Sequence, residues 1–184
     1  MKYLSGIKAR SCFLLSSLFF VLVVPLNVFA QWLNDGGIKT NILSVTSQST
    51  KVEYILTQYD ERTVDVNGTE CSQYQIPGSI VLMERGFPQL PADRRSIVIP
   101  DLAATNYSII NAEYETKETL PVMPSKGHFT RNIDPDSVPF EFSEFYTTNS
   151  WYPAENIQLD VPYIVRDLRG QTIQFNPMQY NPAE

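Results

Sequence analysis

Short runs of alternating apolar and polar residues recur along most of the chain after residue 40. This alternation places successive side chains on opposite faces of an extended strand, and its spacing of roughly 8–12 residues is typical of a sandwich or barrel. No stretch of 12 or more residues keeps a helical apolar period. The predicted strands include residues 42–45, 52–56, 64–66, 80–83, 97–99, 107–110, 140–142, 157–161 and 173–175. We therefore predict an all-β fold, an antiparallel β-sandwich of jelly-roll-like type.

Prolines and glycines divide these runs. Asn67-Gly68 follows one predicted strand and favours a tight hairpin turn over a glycosylated asparagine. Residues 121–150 are the least regular part, and we interpret them as a long connection with one short strand near Phe140. Asp134 and Asp136 flank a proline in this connection, where a turn is favoured over a calcium site.

The first 30 residues have the layout of a secretory signal peptide. Lys2, Lys8 and Arg10 precede an apolar run over residues 12–24, and a small-residue site ends at Ala30. The run is shorter than the roughly 20 residues that a membrane-spanning helix needs. We therefore predict a cleaved leader over residues 1–30, no stable membrane span, and one exported domain over residues 31–184.

Charge and composition after Ala30 restrict the classes of function that this part of the chain can have. All 20 acids but only 11 of the 14 basic residues lie there, so the net charge is about −9, which argues against a nucleic-acid partner. Cys71 and His128 are the single cysteine and histidine of this part, and nothing near Cys71 in sequence would lower its pKa. We expect a buried, inert Cys71, a solvated His128, no metal, no cofactor and no catalytic residue in this chain.

Two stretches are more specific than a generic β-sandwich. The first covers residues 75–91, followed by an Ile-x-Ile-Pro strand end at 97–100. The second stretch begins with a Tyr-Pro pair at 152–153, contains an Arg-Gly pair at 169–170 and ends in Pro-Met-Gln-Tyr-Asn-Pro at 177–182. Together they resemble the N-terminal propeptide of the gingipain-type cysteine peptidases, over residues 64–182. The positions that carry the resemblance are Gly78, Glu84, Gly86, Pro88, Leu90, Pro91, Pro100, Tyr152, Pro153, Arg169, Gly170, Pro177, Gln179, Tyr180, Asn181 and Pro182.

These positions have scaffold roles rather than catalytic ones. Gly86 allows a positive φ or a close backbone approach while Phe87 and Leu90 turn inward, and Pro88 and Pro91 stiffen an extended link. Tyr180 is expected to end the last apolar strand. Arg94-Arg95 and Arg166-Asp167-Leu168-Arg169 are expected at solvated strand ends.

The resemblance implies a propeptide that keeps a downstream cysteine endopeptidase domain latent and assists its folding. The catalytic cysteine and histidine would belong to that domain, so the parent protein would be the enzyme. In the family a further strand follows the Tyr-Asn-Pro element, so we expect this chain to be truncated at its C-terminal edge. The resemblance implies export across the inner membrane, with the surface of a Gram-negative bacterium as one destination. The partner would be a cysteine peptidase catalytic domain, in cis or in trans.

An inhibitory propeptide would offer a basic side chain to a peptidase that prefers basic residues. Lys126, beside Gly127 in the irregular connection, is our candidate for that side chain. The alternative function is a non-catalytic exported adhesion or interaction module built on the same β-sandwich.

Overall fold

The computed structural model describes residues 36–183, and in this part the chain is built from antiparallel strands with two short 3-10 helices. The all-β prediction is confirmed at that level. The predicted leader over residues 1–30 lies outside the described residues. The strands are β1 Ile38–Val45, β2 Thr50–Leu56, β3 Asp60–Val66, β4 Thr69–Gln75, β5 Ile80–Val81, β6 Pro91–Ile99, β7 Ile157–Leu159, β8 Tyr163–Val165 and β9 Leu168–Phe175.

Three antiparallel sheets organise these strands. The strands β1 and β2 form one hairpin and β3 and β4 form another, while β5, β6, β9 and β7 lie side by side in the largest sheet. The first part of β9 pairs with β8 and its last part with β7, on the edge opposite β6. The 3-10 helices are Pro135–Ser137 and Glu144–Thr147.

The hairpin of β3 and β4 turns where the sequence predicts. Val66 pairs with Thr69, and the two residues between them have positive φ angles, 55° at Asn67 and 83° at Gly68. Two adjacent positive φ angles fit the right-handed twist of a two-residue hairpin, and an Asn-Gly pair accepts them at low cost. The Nδ2 group of Asn67 also donates to the carbonyl of Phe140, 3.1 Å away.

Two predicted strands are absent from the described residues. Residues 107–110 and residues 140–142 have no regular secondary structure and no strand partner in the described part of the chain. Alternating β-branched and aromatic residues favour an extended backbone, but a strand also needs a neighbour with free backbone groups. The first of these runs has no such neighbour among residues 36–183.

The hairpin of β1 and β2 contacts the large sheet through aromatic stacking. The ring of Tyr54 lies on the ring of Phe175, with centroids 4.6 Å apart and planes 18° apart. Burial raises the pKa of Tyr54 to about 12, with a further contribution from the charge of Asp93 and an opposing one from Arg95. The neutral phenol is therefore favoured in the folded state.

This shift predicts alkaline destabilisation. In the unfolded chain Tyr54 releases its proton near its ordinary pKa of 10.0, while the folded state holds it to about pH 12. The free energy of unfolding should therefore fall as the pH rises from 10 to 12, by at most about 1.4 kcal/mol per pH unit for this group. Urea unfolding of Tyr54→Phe should show a smaller fall over this window than the parent protein. Equal slopes would contradict this assignment.

Candidate interaction site

The first motif stretch folds around an irregular segment, residues 122–125, which we call the central segment. The amide of Gly86 donates to the carbonyl of Ser125 over 2.8 Å, and the amide of Ser125 donates back to Phe87 over 2.8 Å. The amide of Gln89 donates to the carbonyl of Met123 at the same distance. The motif loop is therefore fixed by backbone hydrogen bonds rather than by a regular strand.

The opposite edge of the central segment is bonded to β4. The amide of Met123 donates to the carbonyl of Ser72 over 2.9 Å, and the amide of Ser72 donates to Pro121 over 2.9 Å. The central segment thus joins the hairpin of β3 and β4 to the motif loop, with each edge of its backbone satisfied. The sequence does not predict that this segment belongs to the core, because its two apolar residues stand between prolines and do not show the alternation of a strand.

A buried cluster forms where these pieces meet. Tyr74, Leu90 and Val122 are its fully buried members, and Leu82, Tyr152, Met178 and Tyr180 pack against it. The inward position that the sequence predicts for Leu90 is confirmed, since its side chain is 1% exposed. Pro88 and Pro91, on either side of it, are also among the fully buried side chains.

Gly86 has the unusual backbone geometry expected from its sequence context. Its φ is 78°, and a Cβ atom added there would lie 3.2 Å from the Cβ of Ser143 and 3.3 Å from the backbone nitrogen of Ser143. The amide of Ser143 in turn donates to the carbonyl of Gly86 over 3.0 Å. Both reasons for a glycine, the positive φ and the close approach, therefore hold at this position.

The second motif stretch closes onto the first through two tyrosines. Tyr152 and Tyr180 exchange backbone hydrogen bonds of 2.9 and 2.8 Å, and the Tyr152–Pro153 peptide bond is cis. The Nε2 group of Gln179 donates to the carbonyl of Pro153 over 2.7 Å. The Tyr-Pro pair and the Gln-Tyr-Asn-Pro end of the motif are thus direct neighbours, 26 residues apart in the chain.

Aromatic rings link the two stretches. The ring centroid of Phe87 lies 5.1 Å from that of Tyr152 and 5.6 Å from that of Phe145, within the range in which aromatic pairs attract each other. Tyr146 donates its hydroxyl to the carbonyl of Val122 over 2.6 Å, and burial raises its pKa well above the ordinary value. The same cause raises the pKa of Tyr152, whose hydroxyl donates to Glu84 over 3.3 Å.

Arg169 and Gly170 stabilise the far end of the large sheet. The guanidinium of Arg169 donates to the carbonyls of Pro100, Asp101 and Ala103 at 3.2, 2.8 and 2.9 Å, so it orders the turn after β6. A Cβ atom at Gly170 would lie 2.8 Å from the ring of Tyr163. The sequence predicts only that Arg169 lies at a solvated strand end. Arg169 also donates hydrogen bonds to three carbonyls of another segment.

The remaining motif residues have simpler environments. Gly78 has a φ of 77° in the turn before β5, and the amide of Ser79 donates to the carbonyl of Ile76 over 3.1 Å. The Nδ2 group of Asn181 donates to Asn149 over 2.8 Å. Pro100 is exposed, while Pro177 and Pro182 are half-buried.

Lys126 lies at a shallow groove beside the central segment. Its Nζ donates to the carbonyl of Pro135 over 2.8 Å and lies 4.4 Å from the ring centroid of Phe140, a cation–π distance. The groove has a volume of about 350 Å³, and its lining includes Met83, Arg85, Lys126, His128, Phe129 and Ile133. Lys126 must give up both contacts before its amine can enter another protein's pocket.

The other candidate residues are dispersed over the molecule. Cys71 is fully buried between Val66 and Met123, as predicted, and burial raises the pKa of its thiol. His128 is exposed. The Asp134 side chain accepts from the amide of Asp136 over 3.0 Å, so the predicted turn is confirmed.

Two further observations concern the described residues. Residues 36–183 contain no group of three or more His, Cys, Asp or Glu arranged to hold a metal ion. In the same range no helix is long and apolar enough to cross a membrane.

Two solved structures of proteins from Porphyromonas gingivalis are similar in fold to this chain. The complex of the RgpB pro- and mature domains matches 78% of this chain and 76% of that chain, with a TM-score of 0.73 and 27% sequence identity. A structure of gingipain K that concerns zymogenic latency matches 79% of this chain and 89% of that one, with a TM-score of 0.55. At 20% identity, this second match shows the common fold alone.

The fold and the assembled motif therefore define the class of gingipain-type pro-domains. Residues 33–184 match the family model Propeptide_C25, and the chain belongs to this family. Gingipain R1 of P. gingivalis is 34% identical over 146 residues, and gingipain R2 is 27% identical over 145 residues. These matches cover 77% and 79% of this chain but 14% and 20% of the relatives, so the chain spans a small part of their length.

The glycine at position 86 provides a test of the motif packing. Gly86→Ala should destabilise the protein by about 2 kcal/mol or more, because it adds a close contact with Ser143 to the cost of a left-handed backbone. Gly68→Ala is the matched control, since Gly68 has a φ of 83° and no heavy atom within 4 Å of an added Cβ. That control should cost only about 1 kcal/mol. Equal losses in urea unfolding would show that the motif loop is not tightly packed at Gly86.

Proposed function

We propose that this chain is the pro-domain of a gingipain-like cysteine endopeptidase, and that it keeps the catalytic domain latent and assists its folding. The observation that carries this proposal is the likeness, at a TM-score of 0.73, to a pro-domain in a complex with its mature domain. Catalysis would belong to the parent protein. The partner is a peptidase catalytic domain, in cis or in trans.

The structure suits a binding module better than an independent catalyst. The motif residues bury each other or hold backbone carbonyls, and Cys71 is fully buried with a raised pKa, which keeps its thiol protonated. Family membership favours the pro-domain over the adhesion module, because its relatives carry such a segment as a small part of a longer peptidase. We also keep the jelly-roll-like sandwich as part of the proposal, supported by the stacking of Tyr54 on Phe175.

Inhibition of a gingipain catalytic domain tests this function. Adding the protein to the mature domains of gingipain R1 and RgpB should abolish peptidase activity at a 1:1 ratio, because a pro-domain that keeps the enzyme latent blocks the access of substrate to the cleft. Residual activity measured with a small peptide substrate checks this expectation. Full activity of both enzymes at a large excess of the chain would contradict it.

The same assay addresses the inhibitory role that we propose for Lys126. Lys126→Ala should weaken inhibition at least tenfold if the ammonium occupies the specificity pocket of the enzyme. Arg131→Ala is the matched comparison, since Arg131 is the other lysine or arginine of the irregular connection over residues 121–150 and is exposed. Unchanged inhibition by Lys126→Ala would remove the proposal for Lys126 without affecting the pro-domain function.

Export forms a separate part of the proposal. The charged start and apolar run of residues 1–30 support secretion through a cleaved leader, and we propose the surface of a Gram-negative bacterium as the destination. Expression of the whole chain in a Gram-negative host should yield an exported form that begins at Gln31, as measured by intact mass. An uncut protein retained in the cytoplasm would contradict it.

A further inference from the structure

A long segment without regular secondary structure connects β6 to the central segment. Residues 103–119, which we call the strap, contain no turn, bend, helix or strand. Residues 104–119 make no backbone–backbone hydrogen bond with the described part of the chain. The strap therefore has no strand partner among residues 36–183.

Side chains, rather than the backbone, hold the strap in place. Thr105 bonds to Gln171, the hydroxyl of Tyr107 donates to Glu155 over 3.0 Å, and that of Tyr114 donates to Asn156 over 3.1 Å. These contacts fix the course of the strap and leave the peptide groups of residues 104–119 without a partner among residues 36–183. An ordered binding segment loses less conformational entropy when a partner arrives.

Lys117 anchors the end of the strap nearest the central segment. Its Nζ lies 2.6 Å from a carboxylate oxygen of Glu61, and 5.1 and 5.0 Å from the ring centroids of Tyr59 and Tyr74. Glu61 also accepts from the hydroxyl of Tyr74 over 2.8 Å. Since Tyr74 belongs to the buried cluster around Leu90, this contact connects the strap to the packed motif.

The middle of the strap is open on both sides. Ile109 and Ile110 are neighbours in sequence, and they are 51% and 73% exposed. Exposure of both side chains means that residues 36–183 cover neither of them. β-branched and aromatic residues such as Tyr107 and Ile109 favour strands once a neighbour is present.

A backbone with free peptide groups is a template for another strand. Unpaired N–H and C=O groups at a sheet edge readily accept a strand from a second chain, and such strand addition is a common mode of peptide recognition. The strap has the required accessibility, order and residue types. A soluble protein usually blocks such an edge with lysines or prolines, and residues 103–116 contain neither.

We propose that the strap is a docking edge on which the partner peptidase domain adds one antiparallel strand, centred on Ile109 and Ile110. This inference rests on the proposed function and specifies the surface by which the partner binds. The added strand would satisfy the free peptide groups of the strap and would cover its apolar side chains. Its apolar residues would oppose the isoleucines, with basic residues toward the acidic end of the strap.

Charge disfavours a second copy of this chain as the occupant and leaves the peptidase domain of the proposed function, the kind of partner present in the RgpB complex. Glu113 and Glu115 follow the isoleucines, and Lys117 is already paired with Glu61. The whole chain has a formal net charge of −6, so two copies repel each other, and their straps bring further acids together. A partner strand with basic residues has no such penalty and gains opposite-charge pairs.

Adjacent proline substitutions test this edge in the inhibition assay. In a strand, successive N–H groups point to opposite edges, so only one of Ile109→Pro and Ile110→Pro removes a donor that faces the added strand. That variant should bind the mature domain of gingipain R1 about tenfold more weakly or worse, and the other should stay close to the parent protein. Proline is compatible with an extended backbone, so urea unfolding should be similar for both variants.

Hydrogen exchange of the whole protein, alone and with the mature domain of gingipain R1, completes the test. We expect fast exchange of the strap amides in the free chain and protection of alternate amides in the complex. If the parent protein inhibits while both proline variants inhibit equally and the strap stays unprotected, the docking edge is wrong and the proposed function stands. Strap protection that grows with the concentration of the free chain would identify a second copy as the occupant and overturn the proposal. If the parent protein does not inhibit, the proposed function fails, and the docking edge fails with it.

Discussion

The two-sided hydrogen bonding of residues 122–125 is the constraint on which the rest of the structure depends. One edge of this central segment is bonded to Ser72 in β4, and the other edge is bonded to the motif loop at Gly86 and Gln89. Val122 enters the buried cluster between these two partners. Because the segment is bonded to both the hairpin and the motif loop, the cluster around Leu90 forms only when all three pieces are in register.

The second motif stretch depends on the first. Tyr152 and Tyr180 pair through their backbones, and their rings pack against the cluster that the central segment creates. Lys117 then connects the strap to the same region through Glu61 and Tyr74. The motif residues thus pack against each other and form hydrogen bonds, in agreement with their predicted scaffold roles.

Local signals in the sequence were sufficient for the elements that are determined locally. The Asn67-Gly68 pair sets two positive φ angles, and Gly86 combines a positive φ with a close approach, so both could be predicted from residue type and context. The sequence does not predict β4, because two of its buried residues, Cys71 and Tyr74, are three positions apart, and this spacing does not fit the two-residue alternation of a strand. Ser72 between them is also buried, and its hydroxyl forms a hydrogen bond. Residues 107–110 have the composition of a strand, but composition does not supply a partner.

The central claim is that this chain covers the catalytic cleft of a gingipain-like peptidase. An experimental structure of the protein bound to the mature domain of gingipain R1 tests it most directly. Our account predicts that the chain lies across the substrate cleft, with its own fold as described and the buried cluster around Leu90 intact. A complex that leaves the cleft open to substrate would contradict the account.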